Sequence, residues 1–337
     1  MNLIVTIDTE EDTWGCFQPD GHTVENVERI LELQDLFDQF QVKPTYLVTY
    51  PVVMNDRSAS ILKGILEKSK CEIGAHCHPW NTPPFEEATD ERNSMLCNLP
   101  GELQYKKISV LHDAIRRRFG VTPISFRSGR WGYGPEVAKS ILELGYKVDS
   151  SITPYVDWSQ DHGPDFSTIS PCPYKFSCED IFGHTPDGPL VEIPATIGYL
   201  QPNFALCNRI LRMSTKRPLS RLWLHKILCK LNLLNRVWLS PEVADAKVMI
   251  QLARRMIAND YKLINLFFHS PALMQGLTPF VKSRADEIRF LGHIREFLVF
   301  ARESGLLSIT LSEALNTDLE QPRVSGKGTL SQGGGTD

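Results

Sequence analysis

Residues 1–12 read Met1-Asn-Leu-Ile-Val-Thr-Ile-Asp8-Thr-Glu10-Glu-Asp12. Residues 3–7 are a short run of apolar and β-branched side chains, which is typical of a strand buried on both faces. No basic region precedes the run, so we expect a first strand here and not a signal peptide. The acidic residues that follow stand where this strand would end. The stretch therefore predicts a parallel strand with carboxylates at its carboxyl end.

The same unit, an apolar run followed by a helical pattern, recurs along the chain. Further strands are predicted at residues 45–48, 71–75, 124–126, 146–149, 263–268 and 306–310. Helices are predicted at residues 24–40, 58–67, 103–119, 135–144, 241–259 and 284–303. Strands that alternate with helices pair in parallel. About seven such units predict an α/β fold with a closed or nearly closed barrel, and a doubly wound open sheet is the alternative that stays open.

Two regions interrupt the alternation. Residues 151–194 are rich in Pro, Gly, Asp and Ser and predict a long loop near the site. Residues 199–240 carry eight Lys and Arg residues and no Asp or Glu among apolar residues, which predicts an inserted helical cap. This basic insertion is interpreted either as a surface for peripheral contact with an anionic membrane or as a cap with solvated charges. Residues 316–337 are predicted to be a disordered tail, which leaves residues 1–315 as one domain.

The composition and charge of the chain argue against some classes of function. The 337 residues carry a formal net charge of −4, so nothing in the overall charge indicates a nucleic-acid partner. No run of eighteen apolar residues occurs, so the sequence predicts no transmembrane helix. The eight cysteines include no C-x-x-C pair, which favours reduced thiols. A cytoplasmic protein is therefore expected, with contact at the inner membrane face through the insertion as an open alternative.

Four clusters of chemically active residues stand where parallel strands are predicted to end, namely residues 8–12, 76–80, 127–132 and 269–271. Residues two apart in an extended chain point to the same side. Asp8 and Glu10 should therefore project together, as should His76 and His78. Two imidazoles and a carboxylate suit zinc or a similar divalent cation, such as cobalt or nickel. The remaining carboxylate is then available as a general base, and His269 as the acid that protonates a leaving amine.

Each cluster also has a purely structural interpretation. Acidic residues after a strand often form a solvated turn, and two histidines can belong to an ordinary polar loop. Arg127 can be a structural ion-pair partner, and His269 a packed core histidine. Their joint placement at four strand ends favours a functional site. Trp80 and Trp131 are interpreted as a stacking wall for a ring of the substrate, with core packing as an equal alternative.

In this order, the clusters resemble the motifs of the polysaccharide deacetylase family, the metal-dependent carbohydrate esterases that include chitin and peptidoglycan deacetylases. Residues 6–10 loosely resemble its T-F-D-D-G motif, and residues 72–78, Glu-Ile-Gly-Ala-His-Cys-His, resemble its histidine motif. Residues 126–132 resemble F-R-x-P-Y-G, and residues 145–151 resemble G-[FY]-x-x-D-x-S. The strand that ends at His269 resembles the last motif. The order and spacing agree over roughly residues 1–315.

The resemblance implies a distorted (β/α)7 barrel and the hydrolysis of an N-acetyl group, a linear amide, on an amino sugar, a polysaccharide or a lipid-linked glycan precursor. Carried over by position, Asp8 is the general base, His76 a metal ligand and His269 the general acid, and Arg127 holds the base. The combination of D-x-E at residues 8–10 with H-x-H-P-W at residues 76–80 resembles members of the family from surface-polysaccharide biosynthesis, including that of exopolysaccharides.

The chain departs from the family motifs at two positions. Thr9 stands where the family has its metal-binding aspartate, and Trp80 stands where it has its second histidine. We therefore assign those two ligand roles to Glu10 and His78. The residues expected to contact the substrate are Trp80, Arg130, Trp131 and Asp149.

Two other functions stay open on the same fold. One is a C–N hydrolase that opens a small cyclic amide or ureide. The other is a catalytically inactive barrel that only binds glycan, which the two departures from the motifs would favour.

Overall fold

The computed structural model describes residues 1–215, 230 and 234–317. Within these residues the strands are β1 (Asn2–Thr9), β2 (Thr45–Val48), β3 (Glu72–Cys77), β4 (Ser125–Ser128), β5 (Val148–Asp149), β6 (Tyr174–Phe176), β7 (Leu190–Glu192), β8 (Ile197–Tyr199), β9 (Arg236–Trp238), β10 (Leu263–His269) and β11 (Leu307–Ser308). The α-helices are α1 (Ile30–Gln39), α2 (Tyr50–Met54), α3 (Asp56–Leu66), α4 (Gly101–Phe119), α5 (Pro135–Glu143), α6 (Phe204–Thr215), α7 (Ala246–Ala258) and α8 (Arg284–Glu303).

The main sheet runs in the order β10-β1-β2-β3-β4-β5-β7-β6, and β11 pairs with the start of β1. All of these pairings are parallel except that between β6 and β7. β1 is central, and its Val5 and Ile7 are fully buried. The sheet curls with helices around it, which confirms the predicted α/β barrel in its distorted form.

Among the residues that the structure describes, strand pairing does not close the barrel, and an irregular segment bridges the opening beside β10. The backbone N–H of Thr196 donates to the carbonyl of Asn265 at 3.2 Å, and that of Asn265 donates to Thr196 Oγ1 at 2.8 Å. Asn265 Nδ2 also donates to the carbonyl of Pro194 at 3.4 Å. These hydrogen bonds replace a regular ladder, since the buried polar groups need partners.

The helix ends follow the local chemistry of the sequence. α4 ends at Phe119, the predicted last residue of this helix, because Gly120 adopts a left-handed φ of 73° that favours glycine. α8 begins with a capping box, in which the Ser283 and Asp286 side chains each accept from the other's backbone N–H. α7 begins at Ala246, five residues later than predicted, because Asp245 caps it by accepting from Val248 N–H.

Two predicted segments need correction. Residues 151–194 are not one long loop, because they contain β6 and β7, which are only three residues each and too short to show a periodic pattern. The basic insertion, residues 199–240, is not only helical, because it opens and closes with strands: Tyr199 of β8 pairs with Arg236 of β9 in a two-stranded antiparallel sheet.

Some predictions fall outside the described residues. The proposed membrane contact depends mainly on residues 216–229 and 231–233, which the structure does not describe. The same holds for residues 318–337 of the predicted disordered tail, although Asn316 still ends a short 3-10 helix. None of the described helices combines the length and apolar character needed to span a bilayer.

Candidate active site

The parallel register brings the predicted clusters to one edge of the sheet. Asp8, near the end of β1, stands opposite His269, the last residue of β10. His76 on β3 stands opposite Arg127 on β4. The carboxyl ends of parallel strands in such a sheet form the mouth of the barrel. Residues that are far apart in the sequence therefore share one site.

Glu10, His76 and His78 form a group that fits one metal ion. Glu10 Oε2 lies 3.5 Å from His76 Nε2 and 3.3 Å from His78 Nε2, and the two Nε2 atoms are 2.9 Å apart. Ligands at about 2.0–2.1 Å from a tetrahedral ion lie about 3.3 Å from one another. All three side chains are buried. The structure thus brings together the three residues that the sequence predicts as ligands.

The hydrogen bonds of the other ring nitrogens indicate which atoms of the histidines carry protons. His76 Nδ1 lies 3.1 Å from the carbonyl oxygen of Arg127, and His78 Nδ1 lies 2.8 Å from Glu11 Oε1. Both of these oxygens only accept, so each Nδ1 is the donor and each neutral ring presents a lone pair at Nε2. Two lone pairs 2.9 Å apart repel unless a positive species, a proton or a metal cation, lies between them. With Glu10 converging on the same point, the donor set fits a divalent cation.

Glu11 holds His78 in place, a role that the sequence analysis did not predict. Its Oε1 accepts from His78 Nδ1 and also from Trp80 Nε1, at 3.2 Å. The Trp80 ring in turn stacks on His78, with centroids 4.1 Å apart. Burial raises the pKa of Glu11, but the positive charge that His78 carries when protonated, followed by its hydrogen bond, outweighs this and lowers the pKa to about 2. Glu11 therefore stays ionised and fixes the orientation of His78.

Arg127 holds Asp8 in place. The fully buried guanidinium donates through Nη1 to Asp8 Oδ1 at 2.6 Å, and it is itself fixed by Ser150. The free oxygen, Asp8 Oδ2, lies 3.9 Å from His76 Nε2 and 3.6 Å from His269 Nε2. Burial raises the pKa of Asp8, but the charge of Arg127, followed by those of the two histidines, lowers it overall. Asp8 is therefore an ionised carboxylate with one oxygen available, as the predicted base requires.

His269 is held by a residue that the sequence did not single out. Glu242 Oε1 accepts from both His269 Nδ1 and its backbone N–H, each at 3.0 Å. Burial lowers the pKa of His269, but the charge of Glu242, then that of Glu10, raises it to about 10. The ring thus carries a proton on Nε2, which faces Asp8. Glu242 stands at no predicted strand end, and its only sequence signal is that it is the first acidic residue after the basic insertion.

These residues line a cavity of about 620 Å³. Trp80, Arg130 and Trp131 line it as predicted, and both tryptophans are more than nine-tenths buried, so they pack in the core and face the cavity at once. Aromatic residues that the sequence did not single out complete the wall: Trp14, Phe17, Trp158, Trp238, Phe267 and Phe280. The edge of Trp14 meets His269, with centroids 4.9 Å apart.

The structure does not bring Asp149 to the cavity, so its predicted contact with substrate is wrong. Asp149 is fully buried, and its Oδ1 accepts from Ser151 Oγ at 2.7 Å. It stands in register with Glu192 of β7. Burial raises the pKa of both carboxyls, and the charge of Asp149 raises that of Glu192 further. The pair therefore belongs to the barrel core behind Arg127.

No family model matches the chain, and no curated protein matches it. Solved structures do. A provisionally assigned glycoside hydrolase/deacetylase from Parabacteroides distasonis is 11% identical with a TM-score of 0.58, over 93% of this chain and 70% of that one. At this level of sequence identity, the similarity shows that the two proteins share a fold. A provisionally assigned polysaccharide deacetylase from Mycobacterium smegmatis is 17% identical with a TM-score of 0.44, over 92% and 93% of the two chains.

A 4-alpha-glucanotransferase from Thermococcus litoralis is 14% identical with a TM-score of 0.49. The match covers 94% of this chain but only 38% of that enzyme, so this chain corresponds to well under half of it.

Proposed function

We propose that the chain is a metal-dependent hydrolase that removes the N-acetyl group from an amino sugar, either within a polysaccharide or on a lipid-linked glycan precursor. One observation carries this proposal. Three buried ligand atoms converge next to an ionised carboxylate and a protonated imidazole, at the floor of an aromatic cavity. The fold shared with a protein described as a glycoside hydrolase/deacetylase supports it.

Glu10, His76 and His78 would hold the cation, for which zinc suits the nitrogen and oxygen donors best and cobalt or nickel are alternatives. A divalent cation bound there would polarise the acyl carbonyl and lower the pKa of a water molecule. The convergence of Glu10 and His78 on His76 supports the ligand roles given to them in spite of Thr9 and Trp80.

Asp8 acts as the general base. Its Oδ2 accepts a proton from the attacking water while Arg127 keeps Oδ1 occupied and the carboxylate ionised. Arg127 does not line the cavity and is a positioning residue in this scheme. The new C–O bond forms at the acyl carbon as the water loses this proton to Asp8.

His269 acts as the general acid. When the C–N bond breaks, the amine of the sugar leaves with the proton of His269 Nε2, and acetate is the second product. Glu242 keeps the imidazole charged and directs Nε2 toward Asp8, so it is a positioning residue. Trp80, Arg130 and Trp131 are proposed to contact the sugar.

The test is acetate release from a panel of N-acetylated sugars and oligosaccharides by metal-loaded and by chelated protein, with the bound metal measured in parallel. We expect acetate release only from the metal-loaded protein. Ring opening of a cyclic amide or ureide without acetate release would favour the small-amide hydrolase. Glycan binding with a full complement of metal and no hydrolysis would favour the inactive barrel.

A further inference from the structure

Among the described residues, every acidic side chain and every arginine that lines the cavity lies against a partner of the opposite type, with one exception. The four acidic ones have basic partners: Asp8 lies against Arg127, Glu10 against His76 and His78, Glu11 against His78, and Glu242 against His269. Arg130, one of two arginines on the wall, lies 3.6 Å from a carboxylate oxygen of Glu91. The second arginine, Arg236, forms no ion pair with any residue that the structure describes.

Arg236 is held at a defined place on this wall. It is the first residue of β9, and it lies two residues before Trp238, so both side chains are on the same side of the strand. Both line the cavity. Its Nη1 donates to the carbonyl oxygen of Tyr155, which anchors one edge of the guanidinium. An arginine has five N–H donors, and no other described residue accepts from those of Arg236.

The surroundings of Arg236 favour an anion. The rings of Trp238 and Trp158, which pack edge to face, make this side of the cavity apolar. Apolar surroundings of low dielectric constant strengthen the attraction between a cation such as Arg236 and an anion that binds it. The planar guanidinium also matches the geometry of a carboxylate or a phosphate.

We infer that the substrate carries an anionic group, a carboxylate or a phosphate ester, close to the N-acylated sugar. Arg236 binds that group while the ring of Trp238 contacts the sugar. The inference rests on the proposed function and narrows its substrate to acidic N-acyl sugars. Arg236 thus determines specificity and takes no part in the proton transfers.

The test compares three derivatives of N-acetylglucosamine with the metal-loaded protein: the 1-phosphate, the uronic acid and the neutral methyl glycoside. Quenching of tryptophan fluorescence reports binding, because five tryptophans line the cavity. Acetate release reports turnover. We expect the phosphate or the uronic acid to bind at least about tenfold more tightly than the neutral glycoside, since hydrogen bonds to charged groups are the stronger ones. The preferred derivative identifies the anion, and its advantage should shrink as salt is raised.

Variants make the test specific to Arg236. Arg236→Gln should bring the anionic derivative to the affinity of the neutral one, and Arg236→Lys should keep part of the difference. The matched control is Arg209→Gln, at an exposed arginine of α6 in the same insertion that does not line the cavity, and it should leave the ratio of the two affinities unchanged. Equal binding of neutral and anionic sugars by the wild-type protein, or an unchanged ratio in Arg236→Gln, would overturn the inference and leave the deacetylase function standing. Failure to bind or hydrolyse any of the three sugars would overturn both.

Discussion

The Nε2 atoms of His76 and His78 lie 2.9 Å apart, although the hydrogen bonds at both Nδ1 atoms leave a lone pair on each Nε2 of the neutral rings. An ordinary pair of neutral histidines would turn one ring to place a proton between them. Here the carbonyl of Arg127 and the carboxylate of Glu11 hold the rings against such a turn. The arrangement is that of a ligand pair prepared for a cation.

The first prediction concerns metal content. The His76→Ala/His78→Ala double variant should lose the metal, because only Glu10 remains of the three converging groups. Elemental analysis should find about one divalent ion per wild-type chain and less than about a tenth of that in the variant. His184→Ala, at an exposed histidine away from the cavity, is the control and should keep the full amount. Full occupancy in the double variant would contradict the assigned site.

The second prediction distinguishes Glu10, a metal ligand, from Glu11, which only orients the ligand His78. Glu11→Gln removes the charge that orients His78 and should weaken metal binding about 10–100-fold, the usual effect of losing such a partner. Glu10→Gln removes a ligand atom and should weaken it more. Titration calorimetry with the same metal gives both dissociation constants. Equal affinities for wild type and Glu11→Gln would show that His78 needs no support from Glu11.

Much of this site follows from the sequence because its parts lie at the ends of apolar strands. β1 and β10 are long buried runs that stop at Asp8 and His269, and the alternation of side chains puts His76 and His78 on one side. Local sequence alone therefore places four of the groups around one point. It also places Arg127 at the end of β4, where the structure joins it to Asp8.

The third prediction concerns pH. Glu242 raises the pKa of His269, and the proposed acid works only in its protonated form, so kcat should fall as the pH rises through that pKa. Glu242→Gln removes the negative charge and lowers the pKa, so the falling limb should move to lower pH by about one unit or more. Glu242→Asp keeps the charge and should move the limb less. A bound cation acts on all three proteins alike, so the comparison isolates Glu242. An unmoved limb in Glu242→Gln would exclude His269 as the acid.

Glu242 and Asp149 show where the sequence fails. The contact between Glu242 and His269 joins residues 27 positions apart, and no local pattern encodes it. β5 is only two residues long, so its alternation does not tell which side Asp149 faces, and the structure turns it toward Glu192 and away from the cavity. Trp238 lies on a three-residue strand at the end of the basic insertion, where composition predicted only helix.

The fourth prediction concerns stability. Lys107 is fully buried in α4, forms an ion pair of 2.8 Å with Glu87, and donates to carbonyl groups of the segment that follows β3, those of Pro79, Thr82 and Pro84. Lys107→Ala leaves these groups unpaired and should lower the free energy of unfolding by about 3–5 kcal/mol. The neighbouring Lys106→Ala removes only exposed ion pairs and should cost less than about 1 kcal/mol. Chemical denaturation measures both, and similar small losses would show that Lys107 is not a structural anchor.

The proposed hydrolase depends on one cation acting together with Asp8. Stepwise addition of metal to the chelated protein, with acetate release measured at each step, tests both at once. In the wild type, the rate should rise in proportion to bound metal and level off at one ion per chain. Asp8→Asn should bind the same single ion but release acetate roughly two to four orders of magnitude more slowly, the range expected for a positioned general base. Acetate release by the metal-free wild type, or a wild-type rate in metal-loaded Asp8→Asn, would contradict this mechanism.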